Sequence, residues 1–407
     1  MKCRSCGLPL EHTFVDLGYA PPSNDYLAKD DLTKAEIVYP LRVLVCGACW
    51  LVQTEDYTDA ETLFHQDYAY FSSTSTTWLD HAARYCDAMT DLLGLNSSSF
   101  VIEVASNDGY LLKNFVAKGV PCLGIEPTHS TAVAAEALGI DVKREFFGAA
   151  LGKRLMDNDQ CADLIVGNNV YAHVPDINDF TLGLAASLKP EGVVTLEFPH
   201  LMQLIHQLQF DTIYHEHFSY LSLHAVLRIF AAAGLRMWRV DELPTHGGSV
   251  RVFGCLNGAT WKTEPSVAAL LDAEVEIGLC SLSTYQGFQS RVETIKDDLL
   301  LFLIEQKRRK RKVAAYGAAA KGNTMLNFAG VRSDLISFVC DAAPAKQGKF
   351  MPGSHIPILP PCTIDVEKPD YVLILPWNIA DEVKEQLAHI REWGAQFVTA
   401  IPHVVVS

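Results

Sequence analysis

Two groups of side chains in this chain have the types and spacing to do chemistry. The first is a pair of Cys-x-x-Cys sequences, Cys3 with Cys6 and Cys46 with Cys49. Each pair closes a tight knuckle, so two pairs bring four thiolates around one tetrahedral ion. Gly7 and Gly47 supply the permissive backbone that such knuckles need. Four thiolates fill the coordination sphere, so the expected ion is a structural Zn2+ with no open catalytic position. A redox role would want a helix of a βαβ unit behind the pair, and neither pair precedes one. The second group is Tyr214-His215-Glu216-His217, the densest run of side chains able to take or give a proton near neutral pH. In an extended segment alternate side chains face opposite ways, which makes His215 the bystander. A His-x-His metal site is the competing reading.

The chain that must position these groups has 407 residues, enough for two or three domains. It is 49% hydrophobic and 20% charged, the balance of a well-packed globular protein. No apolar run reaches transmembrane length, so no membrane association is expected. The start, Met-Lys-Cys-Arg-Ser-Cys, lacks the apolar core of a secretion signal, and a cytoplasmic location is expected. The remaining seven of the eleven cysteines stand singly, mostly in apolar stretches, and read as small buried hydrophobes of a reducing compartment. A net charge of −15 excludes general nucleic-acid binding. An anionic substrate therefore needs a locally basic pocket. The basic run at 307–312 reads as a solvated helix end complementing the helix dipole, with phosphate attraction as the alternative.

Periodicity divides the chain into an α/β protein of three parts, at 1–66, 67–262 and 263–407. In the first, strands at 13–17 and 37–44 must fold back to join the two knuckles. In the second, a strand at 100–104 leads into the turn Ala105-Ser106-Asn107-Asp108-Gly109, followed by a helix at 111–118. A strand at 121–125 ends at Glu126, where a Rossmann-like fold places the carboxylate that grips two ribose hydroxyls. Only Gly109 remains of three glycine positions, with Ala105 and Asn107 in the others. Alanine is small and asparagine accepts left-handed backbone, so the turn suits a ligand without phosphates such as S-adenosylmethionine. Strands at 163–167 and 193–198 follow, the latter after a turn at 188–192. A helix at 223–234 then precedes an antiparallel pair, 235–240 and 250–256. That pair distinguishes a seven-stranded methyltransferase sheet from a plain dinucleotide fold. The third part opens with helices at 267–276 and 286–306. Strands at 313–316, 335–340 and 371–375 then make a second Rossmann-like unit, with a turn of small residues at 317–323. Backbone N–H groups there, with Lys321, would hold a diphosphate. A purely structural unit is one alternative; a dinucleotide site using Asp341 is another.

Set in order, these segments resemble the sugar C-methyltransferases that act on nucleoside-diphosphate-linked 4-keto deoxysugars. The matching pieces are the front cysteine pairs, Glu103-Val-Ala-Ser-Asn-Asp-Gly109, Gly124-Ile-Glu-Pro127 and Asn168-Asn-Val-Tyr-Ala-His173. They continue with Phe210-Asp-Thr-Ile-Tyr-His-Glu-His-Phe218, His246-Gly-Gly-Ser-Val-Arg251 and Tyr316-Gly-Ala-Ala-Ala-Lys321. The resemblance runs nearly end to end. It implies S-adenosylmethionine and structural zinc as cofactors and a nucleotide sugar as substrate. It points to Tyr214, Glu216 and His217 as active-site groups, with His173 and Tyr68 as further pocket residues. A ketone at C4 makes the C3 proton removable, so the site needs a base and a donor to the enolate oxygen. His217 is assigned as base, Glu216 as the group that orients or charge-tunes it, and Tyr214 as donor; exchange of the roles of Tyr214 and His217 is the alternative. Glu103, Ala105, Asn107 and Gly109 are expected around the methionine part, and Glu126 on the ribose. Pro127 and Phe146 or Phe147 are expected near adenine, and Asn168 at the sulfonium end. His246, Arg251 and Lys321 are expected to contact sugar or phosphate. The zinc module is expected to fold over the cleft with Tyr68 and Tyr70 just behind it. The rival activities are O- or N-methyl transfer with the same core, a non-catalytic nucleotide-sugar binding protein, and a dehydrogenase using the C-terminal unit.

Overall fold

The computed structural model describes residues 1–57, 71–74 and 76–407. The N-terminal module is built on β1 (His12–Ala20) and β2 (Tyr39–Val45), which pair antiparallel, and on β3 (Val52–Thr54). Val15 and Leu17 of β1 and Leu41, Val43 and Val45 of β2 alternate with less buried positions or are buried with them, and Phe14, where the β1 register breaks, is buried beside them. This apolar set does not close on itself. Phe14 stacks on Phe288 at 4.4 Å and meets Tyr285 edge-on at 5.6 Å. Both partners lie in the helical stretch that opens the C-terminal unit, so the module shares a core with residues far along the chain.

The central sheet has seven strands. β4 (Val101–Val104), β5 (Cys122–Ile125), β6 (Asp141–Lys143), β7 (Ala162–Asn168) and β8 (Leu188–Pro199) are parallel. β9 (Ser219–Tyr220) leaves this sheet and pairs with β3, completing a four-stranded sheet in the order β1-β2-β3-β9. β10 (Leu235–Leu243) and β11 (Ser249–Leu256) return antiparallel and complete the order β10-β11-β8-β7-β4-β5-β6. The chain order reverses between β4 and β7, which is where open α/β sheets bind ligands at their strand ends. The segment at 188–192, expected as a turn, is instead the first part of the twelve-residue β8. Its register against β7 breaks between Ala162 and Leu164, and this irregularity absorbs the proline and glycine of Leu188-Lys-Pro-Glu-Gly192.

The C-terminal sheet runs β14-β13-β12-β15-β16-β17. Its strands are β12 (Val313–Tyr316), β13 (Val339–Cys340), β14 (Ile358–Leu359), β15 (Tyr371–Ile374), β16 (Gln396–Thr399) and β17 (Val405–Val406). All pairings but the last are parallel. The strand expected at 335–340 shortens to β13, because the N–H groups of Leu335 and Ile336 close a turn on Arg332 O. The helix Phe288–Arg308 ends in the basic run. Lys307, Arg309, Arg311 and Lys312 there pair with Asp334, Glu305, Asp370 and Glu367 at the surface. The run is a solvated helix end tied down by exposed ion pairs, which solvent screens. Among the described residues no helix is long and apolar enough to cross a membrane.

A buried ionic group joins the C-terminal helices to the central part of the chain. Glu274, at the end of the helix Pro265–Glu276, is fully buried. It accepts from His200 Nε2 at 2.6 Å, from His224 Nδ1 at 2.7 Å and from the N–H groups of Leu223 and His224. Those N–H groups open the helix Leu223–Ala232, so Glu274 caps it from another part of the chain. Burial pushes the Glu274 carboxyl up, but the hydrogen bonds from His200 and His224 outweigh it and hold the carboxyl at about 2. A depressed carboxyl contributes stability above its unfolded value near 4.5, and that stability is lost as pH falls towards 2. Glu274→Gln is therefore expected to lower unfolding stability by about 3 kcal/mol at pH 7. Urea melts should show the deficit shrinking below pH 4.5; a deficit that grows on acidification would contradict this assignment.

Candidate active site

The cofactor crevice opens where β4 ends. Ala105 (φ 57°), Asn107 (φ 49°) and Gly109 (φ 76°) all take left-handed backbone, which wraps the turn tightly over the strand end. A Cβ on Gly109 would sit 2.5 Å from Ile140 Cδ1 and 3.2 Å from the Ala135 Cβ. Glycine is thus required there by packing as well as by φ. Glu126, at the end of β5, accepts from the Asn107 N–H and the Thr128 N–H, each at 2.9 Å, which locks its carboxylate against the turn.

The electrostatics of this crevice select among ligands. Glu103, Asp108 and Glu126 converge and are all buried. Burial, then the charges of Asp108 and Glu126, push the Glu103 carboxyl well above the usual carboxylate range. Glu103 Oε2, Asp108 Oδ1 and both amide atoms of Asn168 are buried without a hydrogen-bond partner among the described residues. Three converging carboxylates repel a pyrophosphate and attract a cation. A ligand carrying an ammonium and a sulfonium satisfies both the charge and the orphaned polar atoms, so these residues fit S-adenosylmethionine. Of the two phenylalanines expected near adenine, Phe146 is half-exposed, at 51%. Phe147 packs edge-on against Phe180 at 5.2 Å and belongs to the core.

The second group of side chains lies beyond the end of β8, after the short helices Leu201–His206 and Phe210–Thr212. The His217 ring lies 4.0 Å from the Tyr214 ring and 4.6 Å from that of His173. His217 Nδ1 is 2.8 Å from Thr212 O and His173 Nδ1 is 2.8 Å from Glu216 O. A carbonyl only accepts, so both imidazoles carry their proton on Nδ1 and present Nε2 as the basic nitrogen. Burial, then His173, lowers the His217 value well below the usual imidazole range. Burial alone brings His173 to about 4 despite the carbonyl of Glu216. Both rings are neutral at working pH. His215 turns the other way, its Nε2 3.2 Å from Pro40 O and its ring edge-on to Tyr39, which separates it from His217 and rules out a shared His-x-His ion. Tyr68 and Tyr70 lie outside the described residues.

Three expected contacts are corrected. Glu216 does not touch the His217 ring; its Oε1 accepts from Asn24 Nδ2 at 3.0 Å, and His217 is oriented by a main-chain carbonyl instead. Arg251 is buried, 2.7 Å from Glu197 Oε2 and stacked over Tyr85 at 4.5 Å. Its charge is matched inside the fold, so it is a structural partner of Glu197 and not a phosphate contact. The small residues of the C-terminal turn serve packing, since a Cβ on Gly317 would meet Pro376 at 2.4 Å and one on Gly322 would meet Leu375 at 2.8 Å. Asp341, the acid that a dinucleotide would need, accepts from the N–H groups of Ala318 and Ala343. Lys321 belongs to the helix Ala320–Phe328, and its side chain packs on residues of the same unit. Its Nζ is 2.6 Å from Asn378 Oδ1 and 4.8 Å from the Trp377 ring, and Trp377 Nε1 donates to Asp211 Oδ2 at 2.7 Å. His246 stands nearby, half-buried, with Nε2 3.1 Å from Asn169 Nδ2 and its ring 5.3 Å from that of Trp78. Asn24, Trp78, His81, Glu197 and Trp377 stand in no motif whose spacing implies chemistry, and Asn169 and Asp211 lie inside the segments 168–173 and 210–218 without a role assigned from the sequence.

The four cysteine Sγ atoms lie within 4.8 Å of one another, with Cys3–Cys49 and Cys6–Cys46 at 3.5 Å. Zn–S bonds of about 2.3 Å put the sulfurs of a tetrahedron about 3.8 Å apart, so the cluster fits one zinc ion. Cys3, Cys46 and Cys49 are buried and Cys6 is exposed. The module lies on the loop that carries Tyr214–His217: Thr54 Oγ1 donates to His217 O at 3.1 Å, and β3 pairs with β9 two residues further on.

A seven-stranded sheet ending in an antiparallel pair, with an acidic crevice at its switch point, defines an S-adenosylmethionine-dependent methyltransferase. Three family models match successive segments: a zinc binding domain over 3–64, a methyltransferase domain over 78–240 and a C-methyltransferase C-terminal domain over 244–402. C-methyltransferase NovU of Streptomyces niveus is 33% identical over 401 residues, covering 98% of this chain and 95% of NovU. The chain belongs to this C-methyltransferase family, and its cofactors are S-adenosylmethionine and zinc. Among solved structures, magnesium protoporphyrin IX methyltransferase of Synechocystis PCC 6803 with bound S-adenosylmethionine is 14% identical. The match covers 49% of this chain and 99% of that one, with a TM-score of 0.35. An S-adenosylmethionine-dependent methyltransferase of Clostridium acetobutylicum is 11% identical and covers 44% of this chain and 92% of that one, with a TM-score of 0.36.

Proposed function

We propose that this C-methyltransferase acts at C3 of a nucleoside-diphosphate-linked 4-keto deoxysugar, through an enolate formed in the cleft between β8 and the C-terminal unit. The observation that carries this reading is the His217–Tyr214 pair, with ring centres 4.0 Å apart and the imidazole proton held on Nδ1. Carbon methylation next to a ketone needs a group that removes a carbon-bound proton and a group that steadies the resulting oxyanion, and nitrogen or oxygen methylation needs at most a proton acceptor. His217 Nε2 takes the C3 proton. The Tyr214 hydroxyl donates to the C4 oxygen as negative charge develops on it. His173 keeps the His217 ring in place from its other side. Glu103, Asn107, Glu126 and Asn168 hold the methyl donor, which supplies an electrophilic methyl group when bound. Lys321, beside Trp377 and near His246, supports an anionic part of the substrate such as the diphosphate of the sugar nucleotide.

The direct test is incubation of the zinc-loaded protein with S-adenosylmethionine and a panel of sugar nucleotides. The expected product is a 4-keto deoxysugar nucleotide heavier by one CH2, with the new carbon on C3 by NMR. Methylation confined to oxygen or nitrogen acceptors would overturn the reading.

A further inference from the structure

Asn24 belongs to the N-terminal module, in the stretch between β1 and the 3-10 helix Lys29–Thr33. Its side chain leaves that module and donates from Nδ2 to Glu216 Oε1 at 3.0 Å. Glu216 is buried, and its other oxygen, Oε2, has no hydrogen-bond partner among the described residues. Burial pushes the Glu216 carboxyl up, while its own N–H, the Asn24 amide and the N–H groups of Asn24 and Ser23 pull it back towards the ionised form. The stretch carrying Asn24 is in turn gripped by the C-terminal unit. Asn323 Nδ2 donates to Ser23 O at 2.5 Å, Tyr26 Oη donates to Ala318 O at 2.5 Å, and Leu27 bridges to Phe350. The same helix that carries Asn323 also bonds to the catalytic loop, through Thr324 Oγ1 to Ile213 O at 2.8 Å.

Two parts of the chain therefore meet at one carboxylate, and a third grips the stretch that supplies its donor. A structural bond between a module and a core needs no buried acid, and burying one leaves a desolvation cost that a neutral pair avoids. We propose that Asn24 is a positioning residue of the methyl-transfer site, which acts through Glu216 by fixing Oε1 and leaving Oε2 to accept from a substrate hydroxyl. This rests on the reading of Glu216 as an active-site group. The zinc module is then more than a lid, since it contributes a side chain to the geometry of catalysis.

A double-mutant cycle on the zinc-loaded full chain tests this. Glu216→Gln should lower kcat. Asn24→Ala should lower kcat by about 10- to 100-fold with the KM for S-adenosylmethionine, the zinc content and the thermal midpoint near those of the parent. In the Glu216→Gln background Asn24→Ala should cost nothing more, because the two act as one unit. A second arm needs no substrate: the Glu216 carboxyl carbon, identified by its loss in Glu216→Gln, should titrate at higher pH in Asn24→Ala. The groups around it in that titration are the buried phenol of Tyr220, His173 on the Glu216 main-chain carbonyl, and Tyr214 and His217 of the same loop. Full activity of Asn24→Ala beside an impaired Glu216→Gln, an additive loss in the double variant, or an unmoved titration would overturn the proposal. Full activity of Glu216→Gln would instead overturn the reading of Glu216, and the inference with it.

Discussion

His217→Asn is expected to lower kcat by about two to four orders of magnitude, the usual contribution of a positioned proton acceptor. Asparagine keeps a donor for Thr212 O, so the loop geometry survives while the basic nitrogen is lost. Affinity for S-adenosylmethionine should not change, because the crevice at the end of β4 is built from other residues. His217→Gly, which leaves space in place of the ring, should regain activity when imidazole is added. The pH profile is a second readout. Burial and the neighbouring His173 depress the His217 value, so the acid limb of kcat should fall below the ordinary imidazole range near 6.5. An acid limb at or above 6.5 would assign it to another group. A His217→Asn enzyme within a few-fold of the parent would give the proton-accepting role to Tyr214.

Loss of the zinc ion should have the largest effect on stability. Structural zinc sites contribute on the order of 10 kcal/mol to folding, and the knuckle that closes at Cys46 and Cys49 joins β2 directly to β3. β3 pairs with β9, and Thr54 bonds to the main chain of His217. Unravelling the knuckle thus removes a strand from the sheet that braces the catalytic loop. Cys46→Ser, or prolonged chelation of the parent, is expected to drop the thermal midpoint sharply and to abolish activity together with it. A Cys46→Ser protein that stays folded and fully active would remove the zinc module from this account.

Local features were legible in the sequence wherever spacing alone determines geometry. Two Cys-x-x-Cys pairs specify a four-sulfur cluster without reference to the rest of the chain. Likewise, a strand, a turn with Gly109 and a second strand ending at Glu126 specify the crevice of a Rossmann-like sheet. Features that depend on long-range pairing were not legible. β9 is two residues long and carries no periodicity of its own; it exists because β3 has an open edge beside it. The bond from Asn24 to Glu216 spans 192 positions, and nothing local to either residue announces it. Arg251 looked like a phosphate contact because arginine usually seeks an anion, and the structure supplies that anion internally as Glu197. The glycines of the 317–323 turn looked like a cradle, and the structure shows a packing need for each of them, Gly317 against Pro376 and Gly322 against Leu375.

The central claim is that this protein generates a carbanion equivalent at C3 of a keto sugar before any methyl group moves. Deuterium exchange at C3 of a nucleoside-diphosphate-linked 4-keto deoxysugar, followed by NMR in D2O with the enzyme and no methyl donor, tests it most directly. The account predicts exchange at C3 in the parent enzyme and none above background in His217→Asn. Stereospecific C3 methylation with no exchange under any donor-free condition, or exchange undiminished in His217→Asn, would contradict it.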